Sequence, residues 1–300
     1  VGDYIFKSVC PLCGAVRQDS QLGLEETPEE YIESLVSVFR EVRNILTDDG
    51  TLWVNLGDSY YNYRPGKGQS YPKQSVSKTK QDLPDECNKR GNKLEGLKEK
   101  DLIGIPWMFA FAMRNDGWYL RQDIIWHKPN PMPESVKDRC TKSHEYIFLF
   151  SKNRKYFYDN EAIKEPVKKD WGTRDRTKGK YHNTGTGLQP HSGLTKSYER
   201  KNKRSVWSVT VKPYKEAHFA TYPPDLIEPC ILAGSEEGDT ILDPFMGAGT
   251  TAAVAKSLGR YYLGCELNED YGNLIQKRIQ DYQPVKEVAQ EPTINILDII

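Results

Sequence analysis

The chain has 300 residues, enough for one large domain or two small ones around a full hydrophobic core. It contains no run of about 18 apolar residues and no signal peptide, so we expect a soluble cytoplasmic protein without a membrane partner. The six cysteines are scattered apart from one pair, which argues against a framework of disulfides.

Charge is balanced over the whole chain but uneven along it. Acidic and basic side chains number 42 each, so the formal net charge is zero. Residues 1–60 carry 11 acidic and 4 basic side chains, whereas residues 151–215 carry 17 basic and 6 acidic ones. A basic segment within a neutral protein predicts a localised contact with a polyanion.

A CxxC pair, Cys10 and Cys13, stands near the start of the sequence. Its spacing is that of one half of a structural zinc site, but no second pair and no CxxH follow nearby. The pair is therefore either half of a zinc site or two free thiols near the terminus. A redox-active CxxC is a weaker interpretation, because no strand pattern leads into it.

The first predicted elements are a helix and a strand. Residues 27–30, TPEE, form a capping box and predict a helix that continues to about residue 46. The apolar residues 51–56 then predict a buried strand of a parallel sheet. Asp58 follows at the carboxyl end of that strand, where ligands bind in such sheets. It is a candidate for contact with a ligand, and a helix or turn cap is an equal alternative.

A long loop comes next. Residues 62–100 are rich in Gly, Lys, Ser, Gln and Pro without periodicity, which predicts a long flexible loop. A helix over residues 101–115 and a strand over residues 119–126 follow.

The predicted strand leads into a proline-stiffened segment, WHKPNPMP, over residues 126–133. Trp126, Lys128 and Asn130 present an aromatic face, a cation and an amide within five positions. A base flipped out of a duplex needs a stacking surface and hydrogen bonds to its edge, so these three are candidates for the target pocket. Trp126 is equally well explained as a core residue.

A further strand is predicted over residues 143–152, and residues 153–212 are polar, basic and interrupted by glycines. Tryptophans and tyrosines alternate there with lysines and arginines. Cations neutralise phosphates while aromatic and arginine side chains contact bases, so the segment as a whole predicts a DNA contact. The candidate DNA-binding residues are Arg174, Arg176, Lys201, Lys203 and Arg204.

Residues 240–268 predict a strand, a glycine turn, a helix and a second strand in that order. Asp243 ends the first apolar run, Gly247 and Gly249 lie in the turn, and Glu266 follows the second run. Such a unit binds an adenosyl cofactor at the carboxyl ends of parallel strands, where glycines allow close approach and an acid accepts the ribose hydroxyls. The turn has neither the third glycine of GxGxxG nor the lysine of GxxxxGK[ST], so no dinucleotide or triphosphate grip is evident.

The nonapeptide DPFMGAGTT, residues 243–251, resembles the DPFxGSGTT motif of the beta-class DNA amino-methyltransferases. These enzymes methylate adenine N6 or cytosine N4 with S-adenosylmethionine. The resemblance extends over residues 21–282. It implies an α/β, Rossmann-like methyltransferase fold with a doubly wound, mostly parallel sheet and the circularly permuted motif order. The implied cofactor-binding residues are Phe219, Thr221, Asp243, Pro244, Phe245, Gly247, Gly249, Thr250, Thr251, Glu266 and Asn268.

The resemblance also implies a division of the chain into five parts. They are a remnant of a Cys-containing insertion (1–20), the catalytic-side half of the methyltransferase domain (21–152), an inserted target-recognition region (153–215), the cofactor-binding half (216–283) and a tail (284–300). A Pro-Cys pair at residues 229–230 resembles the nucleophile of cytosine-C5 methyltransferases. We reject that interpretation, because Cys230 falls on the apolar side of a predicted helix and buried thiols are inert.

One motif of the family is not found where it is expected. The catalytic tetrapeptide, Asp or Ser followed by Pro-Pro-Tyr, should precede residue 21, and residues 1–20 do not contain it. We therefore expect a chain without its native amino terminus and leave the catalytic residues unassigned. On that expectation Cys10 and Cys13 are half of a structural zinc site whose other ligands lie upstream.

The leading hypothesis is a DNA adenine-N6 or cytosine-N4 methyltransferase of a bacterial or phage restriction-modification system. It would act on double-stranded DNA in the cytoplasm, beside a cognate restriction endonuclease, and would be inactive if the catalytic segment is missing. The alternative is a catalytically inactive DNA-binding or S-adenosylmethionine-sensing module. A methyltransferase for RNA or small molecules is a third hypothesis, which the basic, aromatic segment disfavours. Without the tetrapeptide, adenine and cytosine both remain open as targets.

Overall fold

The structure, a computed structural model, describes five stretches of the chain. Among these residues, no helix is long and apolar enough to cross a membrane. Most of the predicted loop over residues 62–100 lies outside them. The described residues are 22–62, 94–167, 199–211, 222–269 and 271–282.

The chain divides into two compact units. The first consists of Val1–Ile125 and His144–Tyr156, and the second of Trp126–Ser143 and Phe157–Ile300. The predicted five-part division is a different subdivision and stays a prediction.

Helix α1 of the first unit, Pro28–Ile45, begins at the predicted capping box. The Thr27 hydroxyl accepts a hydrogen bond from the Glu30 N–H over 3.2 Å, and the Glu30 carboxylate accepts one from the Thr27 N–H over 3.2 Å. Both contacts satisfy N–H groups that have no partner within the helix, which fixes the helix start. One face of the helix is buried, and its buried residues are Ile32, Leu35, Val36, Phe39 and Val42.

Helix α2, Ile105–Asn115, begins four residues later than predicted. Gly104 precedes it in the left-handed region, with φ +87°, and Pro106 lies in its first turn. Proline is tolerated in the first turn of a helix but breaks an interior turn, so the helix cannot start much earlier than this.

Three strands lie side by side in the order β1 (Thr51–Leu56), β3 (His144–Ser151) and β2 (Tyr119–His127). They belong to the first unit except for the last two residues of β2. β1 pairs with β3 in the antiparallel direction, so the prediction of a parallel strand over residues 51–56 is wrong. An apolar run does not encode strand direction. β1 also stands at the end of the strand order, and Val54 is its one buried residue.

Aromatic side chains form much of the core of this unit. Phe148 and Phe150 of β3 are fully buried, and the ring of Phe150 lies 6.0 Å from that of Phe109 and 6.4 Å from that of Trp118. These rings meet edge to face, which is a favourable geometry for aromatic pairs.

The second unit contains three short strands that the sequence did not reveal. They are β4 (Glu165–Pro166), β5 (Arg200–Lys201) and β6 (Val206–Ser208). β4 and β5 pair antiparallel, and β6 continues into Val209, whose N–H donates to the His127 carbonyl at the end of β2. Strands of two or three residues are too short to display an alternating pattern.

The remainder of the second unit is the predicted strand–turn–helix–strand region with a helix on either side. β7 and β8 pair in the parallel direction, as predicted, and helix α4 between them is almost entirely buried. Its apolar side chains pack against α5 through Ile279 and against α3 through Ile231. The elements are α3 (Pro224–Gly234), β7 (Thr240–Asp243), α4 (Thr250–Ser257), β8 (Tyr261–Gly264) and α5 (Tyr271–Asp281).

Candidate active site

The turn between β7 and α4 is shaped by two glycines. Gly247 and Gly249 have φ values of +52° and +80°, in the left-handed region that side chains with a Cβ disfavour. A Cβ on Gly249 would lie 3.1 Å from the Cα atom of Ile275, so α5 packs directly on the turn. The sequence-predicted Thr250 and Thr251 follow in the first turn of α4, and both are buried.

Asp243 ends β7 and is hydrogen-bonded through both carboxylate oxygens. Its Oδ1 accepts from the Phe245 N–H over 2.9 Å, and its Oδ2 accepts from the hydroxyls of Tyr222 and Thr251. The carboxylate therefore holds the start of the turn in place. Pro244 and Phe245 form that start, and the Phe245 side chain is 46% exposed.

Glu266 connects the turn to the end of β8. Its Oε2 accepts from the Gly247 N–H over 2.8 Å, and its Oε1 accepts from the Asn268 N–H over 2.8 Å. One carboxylate thus binds the glycine turn after β7 and the residues after β8. Because a carboxylate has about four acceptor positions, Glu266 retains room for further donors.

The end of β8 has no space for a larger residue. A Cβ on Gly264 would lie 1.8 Å from the Cε atom of Met246, which belongs to the glycine turn. Gly264 therefore allows the turn to pack against the strand. The arrangement is a glycine turn with an acid bound to it, as expected for a nucleoside site at the carboxyl ends of parallel strands.

The chain matches a family model described as DNA methylase, for N6 and N4 enzymes, over residues 13–277. The chain belongs to the N6/N4 DNA methylase family. This membership confirms the prediction that the protein is a DNA methyltransferase.

Relatives within the N6/N4 DNA methylase family are similar over most of their length. The type II methyltransferase M.XycI of Xanthomonas campestris pv. cyanopsidis is 45% identical over 262 residues, which cover 87% of this chain and 75% of M.XycI. M.SmaI of Serratia marcescens is 45% identical over 264 residues, which cover 86% of this chain and 77% of M.SmaI.

Solved structures show the same fold at lower identity. The cytosine-N4-specific PvuII DNA methyltransferase has a TM-score of 0.57 at 17% identity, covering 90% of this chain and 77% of that one. TTHA0409 of Thermus thermophilus, solved with S-adenosyl-L-methionine, has a TM-score of 0.50 at 21% identity, covering 88% of this chain and 82% of that one. These likenesses confirm an α/β methyltransferase fold for this member of the N6/N4 DNA methylase family.

The candidate pocket residues at the end of β2 are held by the backbone of another segment. Trp126 is buried and its indole N–H donates to the Val209 carbonyl over 2.8 Å, which supports the core interpretation. Asn130 donates to the Val211 carbonyl and accepts from the Val211 N–H, both over 3.0 Å. The Lys128 ammonium lies 4.2 Å from the centre of the Trp126 ring, in a cation–π contact.

Asp58 caps helix α2 of the first unit. Its Oδ1 accepts from the backbone N–H groups of Gly104 and Ile105 over 3.0 and 3.2 Å. The cap alternative is therefore confirmed, because a carboxylate at a helix amino terminus satisfies orphan N–H groups and the helix dipole. Contact of Asp58 with a ligand stays a prediction.

Three of the candidate DNA-binding residues lie near one another in the second unit. The Arg204 guanidinium donates to Glu165 over 2.7 Å, and the Lys201 ammonium lies 3.8 Å from the same carboxylate oxygen. These cations, the Arg204 hydrogen bond above all, hold the pKa of Glu165 below its ordinary value. The Lys203 ammonium lies 5.0 Å from the centre of the Trp207 ring.

Several predicted residues lie outside the described part of the chain. Among the described residues, no group of three or more His, Cys, Asp or Glu side chains is arranged to hold a metal ion. The zinc half-site stays a prediction. The predicted residues outside the described stretches are Cys10, Cys13, Arg174, Arg176, Phe219 and Thr221.

The Cys230 thiol is buried in α3, and burial raises its pKa above the ordinary value. A buried thiol with a raised pKa is a poor nucleophile, which supports the rejection of Cys230 as a catalytic residue.

The sequence interpretation overlooked two side chains that contact predicted site residues. Tyr222 binds Asp243 and Thr251, and Glu165 binds Arg204. An acid within a long basic segment was a usable signal for Glu165. Tyr222 stands beside two prolines, as in the catalytic tetrapeptide, but in the wrong place of the chain, and no sequence pattern indicates its contacts with Asp243 and Thr251.

We predict that Gly249→Ala destabilises the protein more than Gly238→Ala. Both glycines have positive φ, +80° and +88°, so alanine at either position is expected to cost about 1–2 kcal/mol through backbone strain. A Cβ at Gly238 meets nothing within 4 Å, whereas one at Gly249 presses on Ile275 and adds about 1–3 kcal/mol of overpacking. Urea unfolding of both variants measures the difference, and equal losses would contradict the close packing of α5 on the turn.

Proposed function

We propose that this protein transfers the methyl group of S-adenosylmethionine to the exocyclic amine of adenine or cytosine in double-stranded DNA. The observation that carries the proposal is the 2.8 Å hydrogen bond from the Gly247 N–H to Glu266. It brings the glycine turn after β7 and the acid after β8 to one crevice, where an adenosyl ligand is bound in sheets of this kind.

The residues of the crevice fit such a ligand. The turn has no Cβ at Gly247 or Gly249, so its backbone can approach a bound molecule closely. Glu266 would accept the ribose hydroxyls with the acceptor positions that the backbone leaves open, and the exposed ring of Phe245 in the same turn would offer an apolar surface. When bound, S-adenosylmethionine supplies a methyl group on a sulfonium, which is an excellent leaving group. No covalent intermediate with the protein is then required.

The relatives give the proposal its biological setting. M.XycI and M.SmaI are named type II methyltransferases, and TTHA0409 was solved with S-adenosyl-L-methionine. By analogy, this protein is the modification enzyme of a type II restriction-modification system and works beside a restriction endonuclease. We propose that its substrate is the DNA of a bacterial or phage-infected cell and that it acts in the cytoplasm.

We also propose that the segment from Trp126 to Asn130 forms a wall of the target-base pocket. Its indole and its amide are already hydrogen-bonded to the backbone of Val209 and Val211. The Trp126 indole and the Asn130 amide would therefore form a rigid surface beside the base and would not donate hydrogen bonds to the edge of the base. Rigid surroundings of this kind keep a catalytic pocket in its productive geometry.

Glu266→Gln tests the cofactor site. The amide keeps the size of the side chain but removes the charge, so the hydrogen bonds from the ribose weaken and the Kd for S-adenosylmethionine should rise about tenfold or more, since bonds to charged groups contribute about 1.5–3 kcal/mol. Titration calorimetry measures the Kd, and a tritium-transfer assay on duplex DNA measures activity. Nucleoside mass spectrometry of the product distinguishes N6-methyladenine from N4-methylcytosine.

Glu269→Gln is the matched control, because Glu269 is an exposed acid three residues further along and should leave the Kd unchanged. Equal affinity of wild type and Glu266→Gln would contradict the placement of the cofactor. Cofactor binding by the full-length protein, with its catalytic tetrapeptide present, without methyl transfer to any duplex would overturn the enzymatic proposal and favour an S-adenosylmethionine-sensing module.

We propose further that Lys201, Lys203 and Arg204 contact DNA phosphates, together with Arg174 and Arg176. In the described part of this segment, the Glu165 carboxylate binds the Arg204 guanidinium. It would therefore compete with DNA phosphates for Arg204. The Arg204 side chain is nevertheless 65% exposed, so phosphate oxygens have access to its remaining N–H groups.

Arg204→Gln and Glu165→Gln should change DNA affinity in opposite directions. Removing the cation should weaken binding and reduce the slope of log K against log salt concentration by about one. Removing the competing carboxylate should tighten binding about threefold at low salt, because an exposed ion pair is worth about 0.2–1 kcal/mol. Fluorescence anisotropy with a labelled duplex over a salt series measures both. If Arg204 serves only as the partner of Glu165, both variants will bind DNA like the wild type and differ only in thermal stability.

A further inference from the structure

Three side chains from different elements of the second unit meet beneath the glycine turn, and we call them the hydroxyl cluster: Tyr222, Asp243 and Thr251. The Tyr222 hydroxyl donates to Asp243 Oδ2 over 3.1 Å and lies 2.6 Å from the Thr251 oxygen. The Thr251 hydroxyl donates to the same Oδ2. Tyr222 precedes α3, Asp243 ends β7 and Thr251 lies in the first turn of α4, so the cluster connects three elements.

The hydroxyl cluster has fewer hydroxyl protons than oxygen–oxygen contacts. Burial, and then the charge of Asp243, raises the pKa of the Tyr222 phenol above its ordinary value, so the phenol keeps its proton. Tyr222 and Thr251 thus supply two protons for three oxygen–oxygen contacts. Both hydroxyls donate to the same oxygen of Asp243, so the hydrogen bonds of the cluster end at this carboxylate. The two hydroxyls therefore act as a unit on one acceptor.

The Asp243 carboxylate is consequently engaged on both sides. Oδ2 receives the hydroxyls, and Oδ1 receives the Phe245 N–H of the turn. Its orientation sets the path of the backbone from β7 into the turn. The hydroxyl cluster is thus connected to the backbone of the turn through Asp243.

We propose that Tyr222 is a positioning residue of the cofactor site. Its hydroxyl fixes the Asp243 carboxylate, and the carboxylate in turn fixes the backbone of residues 244–247. This inference rests on the proposed function, in which that turn holds S-adenosylmethionine. Tyr222, which lies outside the glycine motif, would thus contribute to the reaction, and Asp243 would contribute to cofactor binding indirectly.

Tyr222→Phe removes the hydroxyl and keeps the ring. We expect the Kd and the KM for S-adenosylmethionine to rise about tenfold, the range for a lost hydrogen bond to a charged group. The kcat at saturating cofactor and the KM for DNA should stay within about twofold, because only cofactor binding depends on the turn. Calorimetry and steady-state methyl-transfer kinetics measure these quantities.

Tyr282→Phe is the matched control. Tyr282 also packs against α4, but it lies outside the hydroxyl cluster. Loss of the Tyr282 hydroxyl should leave the KM for S-adenosylmethionine unchanged. The only effect we expect is a lower melting temperature. If Tyr222 has only a structural role, Tyr222→Phe will behave in the same way, and the inference is overturned.

Thr251→Val provides a second test that does not depend on the folding of Tyr222→Phe. It replaces the other hydroxyl by a methyl group of similar size and should also raise the Kd for S-adenosylmethionine. Because both hydroxyls act on one carboxylate, the double variant should lose less affinity than the product of the two single losses. Independent, multiplicative losses would contradict a shared role.

The outcomes for this inference and for the proposed function are distinct. Failure of the wild-type protein to bind S-adenosylmethionine defeats the proposed function. Tight binding by the wild type together with an unchanged Kd for Tyr222→Phe defeats only the positioning role.

Discussion

The hydrogen bond between the Gly247 N–H and the Glu266 carboxylate is the contact on which the candidate site depends. β7 and β8 are short, and their parallel pairing alone does not determine how the loops beyond their ends are arranged. Glu266 joins the two loops, while Asp243 holds the other end of the glycine turn through the Phe245 N–H. The turn is thus held by a carboxylate at each side, and its shape is set before any ligand arrives.

The same kind of contact recurs at other predicted site residues. Asp58 binds the N–H groups that open α2, and Asn130 binds both backbone groups of Val211. Polar side chains that the sequence assigns to a ligand are, in the structure, hydrogen-bonded to the chain itself. Such contacts hold a binding surface in one conformation and lower the entropic cost of binding. A residue can therefore shape the site without touching the ligand.

The sequence predicted the cofactor half of the fold well, because local signals and global fold agree there. The residues around DPFMGAGTT form the expected strand, turn, helix and strand, and glycine and acid positions carry direct steric and chemical meaning. The capping box at Thr27 likewise fixed the start of α1. The antiparallel direction of β1 was missed because apolar runs carry no direction. The three short strands were missed because they have no period, and the role of Tyr222 depends on contacts across 21 and 29 positions of the chain.

A crystal structure of the protein with S-adenosylmethionine tests the central claim most directly. We predict ligand density against the turn from Gly247 to Gly249, with the ribose hydroxyls within hydrogen-bonding distance of Glu266. Ligand density elsewhere on the molecule, with that crevice empty at full ligand saturation, would contradict it.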